Sequence, residues 1–326
     1  MGKRRPRVLI TGIAGFGGTH LAEYLQAGGR EVIGLDHPAV LKAIGRSSVP
    51  AADILDCDLT RLSPGDLESF VGKSPLEAVY HLAAIASVHL SWGSVQTTVD
   101  VNAVGTINLI ESLQHLGRPP LLLVGSADQY GTVPPGKQPL REGFPCAPRS
   151  PYALSKLWQE ELGRYYVRLG DWPIFLTRTF NHTGPGQSPN FVCSDFARQI
   201  ALIEAGHREP VMRVGNLRAA RDFLDVRDVV RAYCLLVEKG RPGTPYNVSS
   251  GKSWKISALL GMLLDLSNVK IRVQQDPSRQ RPADIPLLLG HPGRLRRVTG
   301  WRPVLQLEQT LADLLEYWRE HLRSEG

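Results

Sequence analysis

Cysteine and aromatic residues are scarce in this sequence, with four cysteines in 326 residues and 7% phenylalanine, tryptophan and tyrosine combined. Cys57, Cys146, Cys193 and Cys234 lie far apart with no C-x-x-C spacing, so neither a zinc site nor a disulfide framework is suggested and a reducing compartment is expected. Long apolar runs are missing too. The basic opening segment passes into an apolar run at Val8 to Ile10 that is too short for a signal-peptide core, and no later stretch is long enough to span a bilayer. The expectation is a soluble, cytoplasmic protein with no membrane partner. Thirty-eight Lys+Arg against 31 Asp+Glu give a net +7, yet the basic residues are scattered and not interleaved with aromatics. That pattern argues against nucleic acid and for a small polyanionic ligand. With 42% hydrophobic and 21% charged residues, disorder and collagen-like repeats are excluded, and the length suits one large domain or two modest ones.

What is present is alternation between short β-rich runs and helix-period segments. Strands are expected over residues 8–11, 31–35, 78–82 and 121–125, each apolar on consecutive positions as in a sheet covered on both faces. Helices are expected over 16–26, 94–116 and 151–169, the last with Ser150 as N-cap and proline at the first helical position. Such units joined by right-handed crossovers make an α/β, doubly wound parallel sheet. After Arg178 the pattern loosens into Pro/Gly-rich loops, with helices expected over 191–204, 226–238 and 307–321 and one more buried strand at 246–249. The expected organisation is a dinucleotide-binding domain over 1–178, with contributions from about 222–250, and a smaller C-terminal lobe over 179–326.

The turn from Thr11 to Gly18 reads Thr-Gly-x-x-Gly-Phe-x-Gly between a predicted strand and a predicted helix. Gly12, Gly15 and Gly18, with Phe16 opening the helix, allow a tight turn that brings backbone N–H groups to a pyrophosphate. Asp36 closes the second strand, where an acid is expected to accept from the adenosine ribose hydroxyls. Its charge would repel a 2′-phosphate, which favours NAD(H). Neighbouring arginines could reverse that choice, Arg46 among them, so NADP(H) stays open. Asp58 and Leu59 could border the adenine. Ala83 and Ala84 offer small residues where backbone passes close to a cofactor.

Tyr152 and Lys156 stand four apart on one predicted helix, hence on one face. A nearby ammonium and an oxidised nicotinamide would lower the phenol's pKa, so that it could give or take a proton while hydride moves to or from the ring. Ser126, at the carboxyl end of the fourth strand of this series, could address the same substrate oxygen. Ligands bind open α/β sheets at that edge.

Together the glycine turn, Asp36, the His81-Leu-Ala-Ala segment, Ser126 and the Tyr-x-x-x-Lys pair resemble the extended short-chain dehydrogenases/reductases that act on nucleotide sugars. Further segments around Asn181, Asn216, Arg221, Arg281 and Trp301 are similar to the GDP-4-keto-6-deoxy-mannose reductases. The resemblance implies reduction of the C4 ketone of a GDP-4-keto-6-deoxy-hexose, with Ser126, Tyr152 and Lys156 as the catalytic triad. It also implies that Lys156 grips the nicotinamide ribose, and that Asn181, Arg221 and Arg281 hold the diphosphate, to which guanidinium forks are suited. Asn216 is placed with the substrate-binding residues, and Ser87 could line the sugar pocket.

Related chemistries part at Asp128. A 4,6-dehydratase of this family usually carries glutamate there as the C5 base, whereas a shorter aspartate suits a reductase. NAD, favoured by Asp36, suits instead an enzyme that re-reduces its own substrate, so a dehydratase or 4-epimerase stands as the alternative, followed by a non-catalytic sensor. By resemblance, the helices over 94–116 and 151–169 imply a homodimer. His81, His182 and Trp92 are expected to be buried or hydrogen-bonded structural residues.

Overall fold

A computed structural model describes residues 5–279 and 285–325. The first half alternates as expected: β1 (Arg7–Thr11), α1 (Phe16–Ala27), β2 (Glu31–Asp36), α2 (Pro38–Ile44), β3 (Asp53–Asp56), α3 (Pro64–Val71), β4 (Leu76–His81), α4 (Val88–Gly93), α5 (Val95–Val99), α6 (Gly105–His115), β5 (Leu121–Leu123), α7 (Pro151–Gly170) and β6 (Ile174–Thr179). The second half holds β7 (Asn181–Thr183), α8 (Val192–Glu204), β8 (Val211–Val214), β9 (Ala220–Asp225), α9 (Val226–Lys239), β10 (Pro245–Val248), β11 (Ser253–Lys255), α10 (Ile256–Asp265), β12 (Arg272–Gln275), β13 (Leu287–Leu288), α11 (Gly293–Thr299) and α12 (Leu307–Glu325).

Seven of the strands form one parallel sheet in the order β10-β6-β5-β4-β1-β2-β3. That order, reversing direction between β1 and β4, is the doubly wound arrangement, and it opens a crevice where the carboxyl ends of those two strands diverge. The central strands are buried along their length, Val8 to Ile10 and Val79 completely so, which is why they read as unbroken apolar runs. One hydrophobic cluster packs α1 and α9 on one face of the sheet, through Leu21, Leu25, Val229 and Tyr233. Another packs α3 and α6 on the other, through Leu67, Leu109 and Leu113. A further cluster, built from α8, β8, α10 and α12 around Phe196, Met212, Leu259, Leu311 and Trp318, lies entirely beyond residue 190.

Ser150 caps α7 as expected, its hydroxyl accepting from Ala153 N at 3.1 Å with proline at the first helical position. The helix expected over 94–116 runs without a break over 95–115, with a π-helical segment over Asp100–Val104 between α5 and α6 that the sequence did not announce. Within that segment Asn102 is buried and turns its side chain off the helix. Its Oδ1 accepts from Ile85 N at 2.8 Å, and its Nδ2 donates to Ser155 Oγ at 2.9 Å, so the segment is anchored to the crevice wall and to α7.

Candidate active site

One crevice of about 720 Å³ runs across the carboxyl edge of the sheet, lined from the glycine turn at one end to Arg221 and Leu288 at the other. At its first end β1 delivers the chain into a turn where Gly12 has φ +71°. A Cβ there would stand 2.7 Å from Ala83 N, and one on Gly18 would stand 2.1 Å from Gly12 O. Only hydrogen fits at either position. The N-terminus of α1 opens on Gly15 with no side-chain cap and no acid in its first turn, leaving its N–H groups for an anion. These features fit a dinucleotide pyrophosphate.

Asp36 and Asp58 line the same end. Asp36 also braces the turn, accepting from Ala14 N and His37 N, each at 2.8 Å, and burial raises its carboxyl above the ordinary range. Asp58 caps a short 3₁₀ turn through Thr60 N, and Leu59 follows it on the crevice wall. Arg46 is committed elsewhere, to the Asp56 carboxylate and the Ile54 carbonyl, with Asp53 at 3.5 Å.

At the middle of the crevice Ser126, Asp128, Tyr152 and Lys156 come together with Ala83, Ala84 and Ser87. Ser126 caps the 3₁₀ turn Ala127–Tyr130, its Oγ accepting from Asp128 N. α7 presents Lys156, Gln159 and Glu160 on its inner face. The Lys156 ammonium donates downward to Val124 O at 2.8 Å and Gln159 Oε1 at 2.9 Å. Burial without an opposite charge pulls it down to about 7. In the crevice without a dinucleotide, burial and the Asp128 carboxylate push the Tyr152 phenol above its ordinary value, opposed by a hydrogen bond with Ser126.

Beyond the centre, Asn181 and Arg221 line the far wall, but Asn216 is exposed and is not among the lining residues; its Oδ1 accepts from Arg218 N at 2.9 Å in a local turn. Arg281 lies outside the described residues. His182 stacks on Phe16, ring centroids 5.8 Å apart at 7°, and Nδ1 pairs with Phe180 O, joining the glycine turn to β7. His81 is fully buried between two threonines, pulled down to about 3 by burial and the Lys156 charge. The structural expectation for Trp92 is corrected, since it stands 55% exposed at the crevice rim.

Several residues here were not singled out from the sequence. Gln129 and Glu160 fix the Ser126 turn to α7, Gln159 holds Lys156, and Arg149 and Tyr233 line the crevice. The first had a readable signal: Ser126-x-x-Gln129 is a capping box, with Gln129 Oε1 accepting from Ser126 N at 2.8 Å.

A family model described as GDP-mannose 4,6 dehydratase matches residues 9–314. The chain is 36% identical to a GDP-6-deoxy-D-mannose reductase from Pseudomonas aeruginosa, over 98% of this chain and 99% of that one. Among solved structures, that of RMD from Pseudomonas aeruginosa complexed with NADPH superposes with a TM-score of 0.85 at 34% identity, covering 97% of this chain and 99% of the other. A Thermus thermophilus UDP-glucose 4-epimerase in complex with NAD superposes with a TM-score of 0.83 at 29% identity, covering 96% and 99%.

Proposed function

The chain belongs to the GDP-mannose 4,6-dehydratase family of extended short-chain dehydrogenases/reductases, and we propose that within it the protein reduces the C4 ketone of a GDP-4-keto-6-deoxy-hexose. The observation that carries this reading is that Tyr152, Lys156 and Ser126 line one crevice that also holds the glycine turn fitted to a pyrophosphate. When bound, the reduced nicotinamide supplies the hydride. Tyr152 delivers the proton to O4, and Ser126 hydrogen-bonds the same oxygen as negative charge develops on it. Lys156 grips the nicotinamide ribose and, once the crevice is filled, stabilises the phenolate left behind. Reduction needs a proton donor at O4, and a phenol raised by burial and by a neighbouring carboxylate stays in the donor form.

Ser87 lines the sugar position and Asn181 and Arg221 the diphosphate, with the apolar cluster around Phe196 and Leu311 backing the far wall as a substrate lobe. At the adenosine end Asp36 and Asp58 face the crevice while Arg46 is spent on acids of β3, which supports NAD(H) over NADP(H). Trp92, Val95 and Val99 beside Leu154, Trp158 and Tyr165 leave apolar surface exposed on α4, α5 and α7, which supports a homodimer formed through these helices. Among the described residues no helix is long and apolar enough to cross a membrane.

The alternative, an internal dehydratase or epimerase, is favoured by Asp36, since the NAD it suits is the cofactor of an enzyme that re-reduces its own substrate. The deciding experiment offers GDP-mannose with NADH or NADPH, with and without a separate 4,6-dehydratase, while following loss of reduced nicotinamide and the products. Oxidation of the cofactor only when the dehydratase is present supports the reductase. Turnover of GDP-mannose alone with no net redox change replaces it with the alternative.

A further inference from the structure

Lys156 is supported from beneath by two neutral oxygens, and one of them comes from a side chain used by half. Gln159, 1% exposed and three residues further along α7, accepts the ammonium proton on Oε1 at 2.9 Å. Its Nε2 is buried and has no hydrogen-bond partner among the described residues. An amide with an idle buried donor does here only what a carboxylate would do more strongly, and it carries the cost of an unsatisfied N–H that glutamate would not have.

The surroundings follow the same rule. His81, brought from β4, is an uncharged imidazole with both nitrogens engaged. Tyr152 and Asp128 lie at the crevice side. Below, the Glu160 carboxylate is taken up by Arg178, Arg164 and Gln129, so its charge is spent before it reaches Lys156. Val124 contributes only a carbonyl.

We propose that Gln159 is a positioning residue that fixes the Lys156 amine through a neutral acceptor, so that no carboxylate beneath it holds the proton or offsets the charge it turns to the crevice. The inference rests on the role given to Lys156 above. Burial without a counter-charge pulls the group down to about 7, and a carboxylate at position 159 would raise it.

The test compares wild type, Gln159→Glu, Gln159→Met and Lys156→Met, measuring kcat/KM against pH and, separately, the NADH and NADPH dissociation constants against pH. Gln159→Glu is expected to fold and to move the basic limb of both profiles upward by one pH unit or more. Gln159→Met, similar in length and without an oxygen acceptor, is expected to lose tenfold or more in kcat with KM little changed, a loss that Gln159→Glu largely avoids at alkaline pH. Unmoved limbs in Gln159→Glu, or wild-type kcat in Gln159→Met, overturn the proposal. Full activity in Lys156→Met overturns the catalytic reading itself, whereas an inactive Lys156→Met with unmoved Gln159→Glu limbs overturns only this inference.

Discussion

Gln129 Nε2 donates to Glu160 Oε2 at 2.8 Å, and through that one bond the turn carrying Ser126 is fixed to the helix carrying Tyr152 and Lys156. Both residues are fully buried. Gln129 spends its oxygen on Ser126 N, and Glu160 accepts at the same time from Arg178 at 2.7 and 2.8 Å and from Arg164 at 2.7 Å. The distance between the proposed proton donor and its serine partner is thus set below the crevice, by groups that touch no ligand.

Replacing Glu160 by alanine strands the buried Arg178 guanidinium. Loss of one partner of a buried pair costs about 3–5 kcal/mol, so Glu160→Ala is expected to lower the unfolding free energy in urea by that order. Activity should fall along with it, since the Ser126 turn loses its anchor. A variant with wild-type unfolding would show that Arg178 finds another acceptor.

Tyr152→Phe keeps the ring and removes the proton. Loss of a general acid is worth about 10²–10⁴ in rate, and kcat is expected to fall by that order while cofactor affinity stays within a few-fold. Single-turnover kinetics and a fluorescence titration separate the two. Activity within tenfold of wild type would assign the acid elsewhere.

His81 makes the fold acid-sensitive. Thr106 gives its own proton to Asn102 O, so it accepts from His81 Nε2, and Thr11 donates to Nδ1; the imidazole is neutral and has no room for a second proton. Its folded pKa of about 3 lies below the ordinary value of 6.5. The stabilisation is therefore complete above the unfolded pKa and is lost as pH falls from there toward the folded one, at about 1.4 kcal/mol per pH unit. Urea unfolding of His81→Gln between pH 6 and pH 4 should show a slope shallower by that amount. An unchanged slope would place the sensitivity in another group.

The wild-type protein is expected to bind NADH more tightly than NADPH, and Asp36→Asn should narrow the ratio by tenfold or more, because the charge opposing a 2′-phosphate is removed while Ala14 N keeps an acceptor. Titration with each cofactor measures it. A wild-type preference for NADPH would show that another cation answers the phosphate.

Strands β1, β2, β4, β5 and β10 and the glycine turn were legible because each has one dominant cause, such as burial on both faces for Val8 to Ile10 and steric exclusion for Gly12 and Gly18, whereas β3 and β6 were not singled out. The Ser150 cap and the shared inner face of Lys156 likewise follow from local rules. What stayed hidden was polar and buried. Gln159 and Glu160 look in sequence like residues of a solvated helix face, and only the tertiary fold turns them inward against Lys156 and Arg178. The π-helical segment inside the helix over 94–116 was hidden for the same reason, because a regular period cannot show that Asn102 finds its partners 17 residues earlier and on α7. Asn216 forms a local turn, its Oδ1 accepting from Arg218 N, which sequence spacing alone does not show.

The edge of the main sheet beside β6 is covered by β10, whose residues Pro245–Val248 come after α8, β8 and β9 have left that sheet and α9 has returned to it. A ribosome must therefore release most of the polypeptide before this edge is sealed, and until then β6 offers an unpaired row of backbone groups to any passing strand. Nascent chains interrupted between Arg178 and Tyr246 would be the ones to aggregate.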